Sequence, residues 1–317
     1  MNTDRLLHLL DTRLTRRSAI QAAGAIGAGG MLASHGLHPA RAQDAPDPFD
    51  FPDLAITALD YAFEMPASVE AGWTHVILDN QGMMDHHAMF LRPHEGSTVE
   101  DVQAALAQGD LGAIFAAAAS AGGPNVGPGR QASVAMNLQA GQYLLICAVP
   151  NEEGIPHFAL GMQAVLDVTE GPADTVAPEA DATINLVEMA FDGLPTDTTA
   201  GTHVWEINDT GTQLHEMVVL QLAEGVTIDQ AIGMFMTPPA SPVAPPVVDQ
   251  TVATPVAPPP GPPFEAIGGV APMSPGETNY AVLDLVAGDY IAICFVPDME
   301  TGVPHFAMGM IAGFTVS

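Results

Sequence analysis

Short apolar runs, bounded by Gly, Asn and Pro, recur along most of this chain. Examples are residues 74–78, 143–147, 281–285 and 314–316. Runs of this length, rich in β-branched and aliphatic side chains and flanked by turn-forming residues, predict β-strands. Residues 98–119 differ, because acidic residues open a long Ala/Leu-rich stretch there. That stretch predicts one helix with Ser97 or Thr98 as its N-cap, inserted into a mainly β protein.

The second half of the chain repeats the order of motifs in the first half. Residues 61–66 recur as 189–195, and residues 140–143 recur as 287–290. Two histidine triplets also match: His87-Ala88-Met89 and His215-Glu216-Met217. Both halves end in a Cys, a His and a Met in the same order: Cys147, His157, Met162 and Cys294, His305, Met310. Repeats of this length predict two similar structural units.

The matches define a first unit at residues 54–168 and a second at 183–317, joined by an acidic, Pro-containing linker at 169–182. Residues 237–263 carry eleven prolines and occur only in the second unit. Such a segment cannot form a helix or a central strand, so we expect an extended surface loop. The strand pattern predicts that each unit is a β-sandwich.

The charge of the chain is strongly one-sided. It has 37 acidic residues against seven arginines and no lysine, with a net charge of −30. Five of the arginines lie in the first 41 residues. A nucleic-acid-binding protein needs a basic face to neutralise phosphates, and anionic lipid attracts basic segments. The composition therefore excludes nucleic acid as a partner and argues against docking on anionic lipid.

The N-terminus has the layout of a cleavable export signal. Arg16 and Arg17 precede a weakly apolar Ala/Gly-rich stretch, and small residues flank Arg41 where a signal peptidase cleaves. The paired arginines indicate the twin-arginine route. We expect residues 1–42 to be removed, residues 43–53 to form an N-terminal extension, and the protein to be periplasmic or extracellular. No later segment offers about 18 consecutive apolar residues, so no transmembrane segment is expected.

In each unit, two histidines, one cysteine and one methionine are candidate metal ligands. The candidate ligands are His87, Cys147, His157 and Met162 in the first unit, and His215, Cys294, His305 and Met310 in the second. One thiolate and two imidazoles with a weak axial thioether form a type 1, or blue, copper site that transfers electrons. The thiolate is a soft ligand for copper, and imidazole suits both of its oxidation states.

On these residues the chain resembles a tandem pair of cupredoxin domains, the plastocyanin–azurin superfamily. The resemblance covers both units and implies an all-β fold of two Greek-key β-sandwiches, each with a loop or helix insert. It also implies one type 1 copper per domain, held by the eight residues named above.

The spacing between Cys and the second His also resembles the type 1 loop of copper nitrite reductases. In those enzymes a His immediately precedes the type 1 Cys and binds a catalytic type 2 copper. Ile146 and Ile293 occupy that position here, so an enzyme is the less favoured interpretation. Small cupredoxins often carry Asn after the first His ligand, whereas Ala88 and Glu216 follow it here.

Other interpretations of the same residues remain open. The two cysteines could be buried thiols or, in an exported protein, form a disulfide. His86 faces opposite His87 in an extended segment, so we expect it not to be a ligand. His75 and His203 are expected to make structural hydrogen bonds.

The leading functional hypothesis is an exported blue-copper protein that transfers single electrons. Its acidic surface favours a redox partner with a basic surface, such as a cytochrome. One alternative is a protein for copper storage, delivery or resistance. Others are a copper oxidoreductase whose additional site forms between subunits from His75, His94 or His203, and a cupredoxin-like module without metal.

Overall fold

The computed structural model describes residues 48–109, 111–171, 176–237 and 262–317. The predicted signal peptide (1–42), part of the predicted linker and nearly all of the Pro-rich insert lie outside the described residues. None of the helices in the described ranges is both long enough and apolar enough to span a bilayer.

The first half of the described chain contains eleven strands, two α-helices and one short 3-10 helix. They are β1 (Asp53–Leu59), β2 (Ala62–Glu64), β3 (Ser68–Glu70), β4 (Gly72–Asn80), β5 (His86–His87), β6 (Met89–Pro93), α1 (Val99–Gln108), α2 (Leu111–Ala117), β7 (Ala118–Ser120), β8 (Asn125–Val126), β9 (Gln131–Leu138), β10 (Gly141–Ile146), η1 (His157–Leu160) and β11 (Gln163–Thr169).

The second half, as far as it is described, contains nine strands, one α-helix and one 3-10 helix. They are β12 (Ala182–Val187), β13 (Ala190–Asp192), β14 (Asp197–Thr198), β15 (Gly201–Asp209), β16 (His215–Leu222), α3 (Ile228–Met236), β17 (Phe264–Met273), β18 (Thr278–Leu285), β19 (Gly288–Ile293), η2 (His305–Met308) and β20 (Ile311–Val316). The predicted all-β fold class, with two β-sandwiches, is confirmed. The domain limits drawn from the sequence stay predictions.

One sheet runs through both halves of the molecule. Its strand order is β13-β12-β15-β18-β9-β4-β1-β2, so β18 of the second half pairs with β9 of the first. Each half adds a five-stranded sheet of its own, in the orders β3-β11-β10-β6-β7 and β14-β20-β19-β16-β17. The two sandwiches therefore share a continuous sheet, and a single hydrophobic cluster contains residues of both.

The strands that lead to the cysteines are buried on both faces. In β10, Tyr143 and Leu145 belong to the sandwich core, while Leu144 and Ile146 pack under the helices α1 and α2. The same alternation places Tyr290 and Ala292 of β19 in the sandwich core. Because side chains alternate along a strand, covering both faces requires an apolar residue at every position. This explains why both sequences read as unbroken apolar runs.

The helical insert differs from the prediction of one helix over residues 98–119. The helix α1 begins at the Thr98 N-cap, where Thr98 and Asp101 form a capping box, and ends at Gly109. Gly109 adopts φ 66°, the left-handed conformation that terminates helices, and α2 follows as a separate element. The second half also contains a helix, α3, in line with the loop or helix insert expected in each unit. Its signal was the capping box of Thr227 and Gln230.

Candidate metal centres

Two buried clusters of one cysteine and two histidines lie at the ends of β10 and β19. Site 1 consists of His86, Cys147 and His157. Its Cys147 Sγ lies 3.4 Å from His157 Nδ1 and 3.7 Å from His86 Nδ1, and the two Nδ1 atoms are 3.2 Å apart. All three side chains are at most 2% exposed. Three potential ligand atoms therefore converge on one point away from solvent.

Site 2 repeats this arrangement with His215, Cys294 and His305. The distance from Cys294 Sγ to His305 Nδ1 is 3.5 Å, and the two Nδ1 atoms are 3.1 Å apart. Each of the three residues is fully buried. The two halves of the chain thus present the same donor atoms in the same way.

The loop after each cysteine folds back on it through backbone hydrogen bonds. In the first half, Phe158 N–H donates to Cys147 O and Cys147 N–H donates to Met162 O, at 2.8 and 3.3 Å. In the second half, Phe306 N–H and Cys294 N–H make the equivalent bonds. The loop thereby returns its histidine to the thiol. Met162 and Met310 are fully buried beside their cysteines, and their role as axial ligands stays a prediction.

The structure brings His86, and not the predicted His87, to Cys147 and His157. His87 instead accepts a 2.7 Å hydrogen bond at Nε2 from Ala148 N–H. The two histidines do face opposite ways, but the inward one is His86. The reason is the register of the repeat: β4 spans Gly72–Asn80 and β15 spans Gly201–Asp209, an offset of 129 residues. At that offset His86, not His87, is equivalent to His215.

One inserted residue in the second half shifts the alignment of the two repeats by one position. The residue is Gly193, which lies in the turn after β13 with φ 85°. Before it the repeat offset is 128, and after it 129. The Thr-His-Val triplets at His75 and His203 match at an offset of 128, whereas the strands β4 and β15 that carry them match at 129.

Glu216 is therefore the equivalent of His87. Its Oε1 accepts a 3.0 Å hydrogen bond from Phe295 N–H, the amide that follows Cys294. Its own N–H lies 3.5 Å from Cys294 Sγ and donates to it. Both side chains are buried, at 2% and 1% exposed. A buried acceptor therefore fixes the backbone directly after the cysteine in each half, with an imidazole in one and a carboxyl group in the other.

A carboxylate stands behind the first histidine of each site. Asp60 Oδ1 lies 3.4 Å from His86 Nε2, and Glu188 Oε1 lies 4.0 Å from His215 Nε2. Glycines make this approach possible, since a Cβ at Gly82 would lie 2.7 Å from His86 Nε2. A Cβ at Gly211 would crowd His215 and Glu188 in the same way. A carboxylate on one ring nitrogen orients the imidazole and leaves the other nitrogen for a metal.

The imidazoles are held neutral by their surroundings. Burial lowers the pKa of His157 to about 4, and the neighbouring His86 adds to the effect. Burial likewise lowers the pKa of His215 to about 4, with His305 contributing. Burial also lowers the pKa of His86 and of His305. Neutral imidazole is the form that binds metals, and a thiolate with two imidazoles is a set that suits copper. The residues present therefore fit a copper ion.

The remaining histidines of the alternatives lie elsewhere. His75 Nδ1 is 3.1 Å from Asp53, His203 Nε2 is 2.7 Å from Thr199 O, and His94 Nε2 is 3.3 Å from Phe115 O. In the described part of the chain, none of them joins a cluster of potential metal ligands. No disulfide joins Cys147 and Cys294, so the disulfide alternative is wrong for this structure.

Comparison with known proteins adds structural neighbours only. No family model and no curated protein sequence matches this chain. Among solved structures, it is similar to auracyanin from Roseiflexus castenholzii, with 21% identity, a TM-score of 0.26, and coverage of 44% of this chain and 99% of that one. It is similar also to auracyanin A, a "blue" copper protein from Chloroflexus aurantiacus, with 20% identity, a TM-score of 0.25, and coverage of 37% and 99%.

A two-domain neighbour is the copper nitrite reductase from Nitrosomonas europaea, with 14% identity and a TM-score of 0.23. That match covers 84% of this chain and 93% of the reductase. At such identities and TM-scores these likenesses carry no information about the sites. The assignment of copper rests on the donor atoms of site 1 and site 2.

Proposed function

We propose that this protein is an exported copper protein that holds one type 1 copper in each half and transfers single electrons. The observation that carries the proposal is the duplicated, buried set of two imidazole nitrogens and one Sγ, which lie within 4.8 Å of one another in each site. Bound copper would supply a one-electron change between its two common oxidation states. The ligands proposed are His86, Cys147, His157 and Met162, and His215, Cys294, His305 and Met310.

The protein's own contribution is a rigid and dry environment. The cysteines are fixed by backbone bonds to Met162 and Met310, and His86 by a contact of 3.4 Å with Asp60. Glu188 lies 4.0 Å from His215 Nε2. Donors that cannot move keep the same arrangement in both oxidation states, so little reorganisation accompanies each electron. Burial keeps water from the ligand atoms.

The test is a visible spectrum combined with copper quantitation on the full chain. We expect an intense thiolate-to-copper band and two coppers per chain. Cys147→Ala and Cys294→Ala should each remove one copper and part of the band, and the double variant should remove both. Copper content and spectrum that do not change in these variants would refute the proposal.

The surface suits a basic redox partner. Beyond residue 41 the only basic side chains apart from histidine are Arg92 and Arg130. Both form ion pairs, Arg92 with Glu277 at 3.2 Å and Arg130 with Glu265. The field around the protein is therefore strongly negative and should attract a cationic protein over long range. Reduction by a basic cytochrome should slow as ionic strength rises, since salt screens that attraction. A rate independent of ionic strength would exclude this role for the charge.

A copper storage or delivery function is the second candidate. The observation in its favour is a group of exposed methionines near the sites: Met83 at 83%, Met299 at 49% and Met308 at 42% exposed. Thioethers at a surface can pass Cu(I) between proteins. Rapid electron self-exchange would favour electron transfer, whereas fast Cu(I) release to a chelator, slowed by Met83→Leu, would favour delivery.

A further inference from the structure

We infer that site 1 and site 2 exchange electrons directly, through a buried hydrogen-bonded route whose central residue is Asn125. The inference rests on the proposed function, because it requires a redox-active metal in both halves. It goes beyond that function by making the two sites one internal relay rather than two independent carriers.

The route leaves site 1 through the residue after the cysteine. Ala148, bonded to Cys147, donates its N–H to His87 Nε2 at 2.7 Å. His87 is bonded to Ala88, whose N–H donates to Pro124 O at 3.0 Å. Pro124 is bonded to Asn125. Two hydrogen bonds and the intervening covalent bonds thus connect the Cys147 thiol to Asn125.

The route enters site 2 from the other side of Asn125. The Nδ2–H of Asn125 donates to Met217 O, across the boundary between the halves, at 3.3 Å. Met217 is bonded to Glu216, whose N–H donates to Cys294 Sγ at 3.5 Å. The thiol of one site is therefore connected to the thiol of the other without a through-space gap.

The route lies in the interior except at Ala148, which is partly buried. His87, Ala88, Asn125, Glu216 and Met217 are each at most 2% exposed. Two glycines allow the strands to approach: a Cβ at Gly123 would lie 1.9 Å from Ala88 O, and one at Gly269 would lie 2.0 Å from Met217 O. Electrons tunnel more efficiently through covalent and hydrogen bonds than through gaps, so this tightly packed seam favours transfer.

A second buried asparagine at the boundary provides a comparison. Asn279 uses both ends of its amide, accepting from Gly123 N–H and donating to Ala121 O, each at 2.9 Å. Asn125 uses only the donor end, because its buried Oδ1 has no partner among the residues the structure describes. Leaving a buried polar atom unpaired opposes stability. Asn279 thus fastens the two halves, whereas the bond from Asn125 to Met217 O continues the route.

The transfer step is balanced within the molecule. One site loses one electron and the other gains it, and no bond breaks and no proton moves. An external one-electron donor, such as a reduced haem protein, supplies the electron, and an external one-electron acceptor removes it.

The experiment is pulse radiolysis of the copper-loaded full chain, delivering less than one electron per molecule. Spectra of Cys147→Ala and Cys294→Ala identify the signal of each remaining site. We expect a first-order phase, independent of protein concentration, in which the electron redistributes between the sites. Asn125→Leu should slow this phase severalfold, and the matched control Asn279→Leu should leave its rate unchanged.

The possible failures are distinguishable. Loss of copper or of the visible band in the wild type would refute the proposed function. A wild type with two reducible coppers but no such phase, or an Asn125→Leu protein with the wild-type rate, would overturn this inference alone. If Asn125→Leu does not fold, Asn125→Ala removes the same donor without requiring space.

A readout without copper tests the central bond itself. In the metal-free protein, the side-chain amide protons of Asn125 should exchange slowly with solvent, as expected for a buried donor. Exchange at the rate of an exposed amide would show that the route is broken at this residue.

Discussion

Site 1 and site 2 share their backbone geometry but differ in charge at three equivalent positions. The pairs are Asn80 and Asp209, His87 and Glu216, and Asn151 and Asp298. In each pair the first half carries a neutral side chain and the second an acidic one. In contrast, both halves keep a carboxylate behind the first histidine, Asp60 or Glu188.

Each pair makes the same kind of hydrogen bond. Asn80 Oδ1 accepts from Gly82 N–H, and Asp209 Oδ1 accepts from Gly211 N–H, both at 3.0 Å. The fold therefore requires an acceptor at these positions, and an amide, imidazole or carboxyl group can provide it. Burial raises the pKa of Asp209 to about 7, which shows the cost of placing an acid there.

The comparison indicates that two sites with the same backbone geometry can differ in reduction potential when the charges around them differ. Negative charge near a metal stabilises its higher oxidation state. We therefore expect site 2 to have the lower reduction potential, so that an electron placed on site 2 moves to site 1. Three predictions, from the largest effect to the smallest, test this comparison.

The largest effect should come from the two adjacent histidines. His86→Gln removes a proposed ligand, so copper binding should fall from two ions per chain to one. His87→Gln keeps a hydrogen-bond acceptor for Ala148 N–H, so both coppers should remain. Copper quantitation on the two variants checks this. The reverse result would restore His87 as the ligand and remove the equivalence of the two sites.

A smaller effect should follow from the side chain beside each cysteine. Glu216→Gln keeps the acceptor but removes the acid, so the potential of site 2 should rise by roughly 50–100 mV, the size expected of one charge several ångströms away. His87→Glu should lower the potential of site 1. Redox titrations followed in the visible spectrum measure both. Equal potentials in the wild type would contradict the proposed asymmetry.

The smallest effect should come from the loop that follows each cysteine. Asp298 accepts from Glu300 N–H and Thr301 N–H, and Asn151 accepts from Glu153 N–H and Ile155 N–H. Asp298→Asn should raise the potential of site 2 by less than about 30 mV, since solvent screens a charge near the surface. Asn151→Asp should lower that of site 1 by a similar amount. A shift larger than that of Glu216→Gln would argue against this ranking.

Much of this structure could be predicted from the sequence, because its signals are local. The apolar runs predicted β4, β10, β18 and β20. Of the eight metal-site residues that we named, six belong to the Cys–His–Met motif near the end of each half, which is visible as a local pattern. The choice between His86 and His87 could not be made locally. It depended on one inserted residue, Gly193, more than 100 residues away in the second half.

Contacts between the halves could not be predicted from the sequence either. Nothing in the pattern of β9 or β18 distinguishes a strand that pairs within its own sandwich from one that pairs across the boundary. Asn125 and Asn279 read as ordinary polar loop or strand residues. Their importance appears only when the two halves are placed side by side.

The pairing of β9 with β18 has a consequence for how the protein folds. Tyr280, Ala281 and Val282 align with Ala135, Val134 and Ser133, so separating the halves would expose two open, largely apolar sheet edges. Exposed edges of this kind promote aggregation. The molecule should therefore unfold in one cooperative transition, and either half expressed alone should be poorly soluble. By this reasoning the two repeats should behave as a single folding unit.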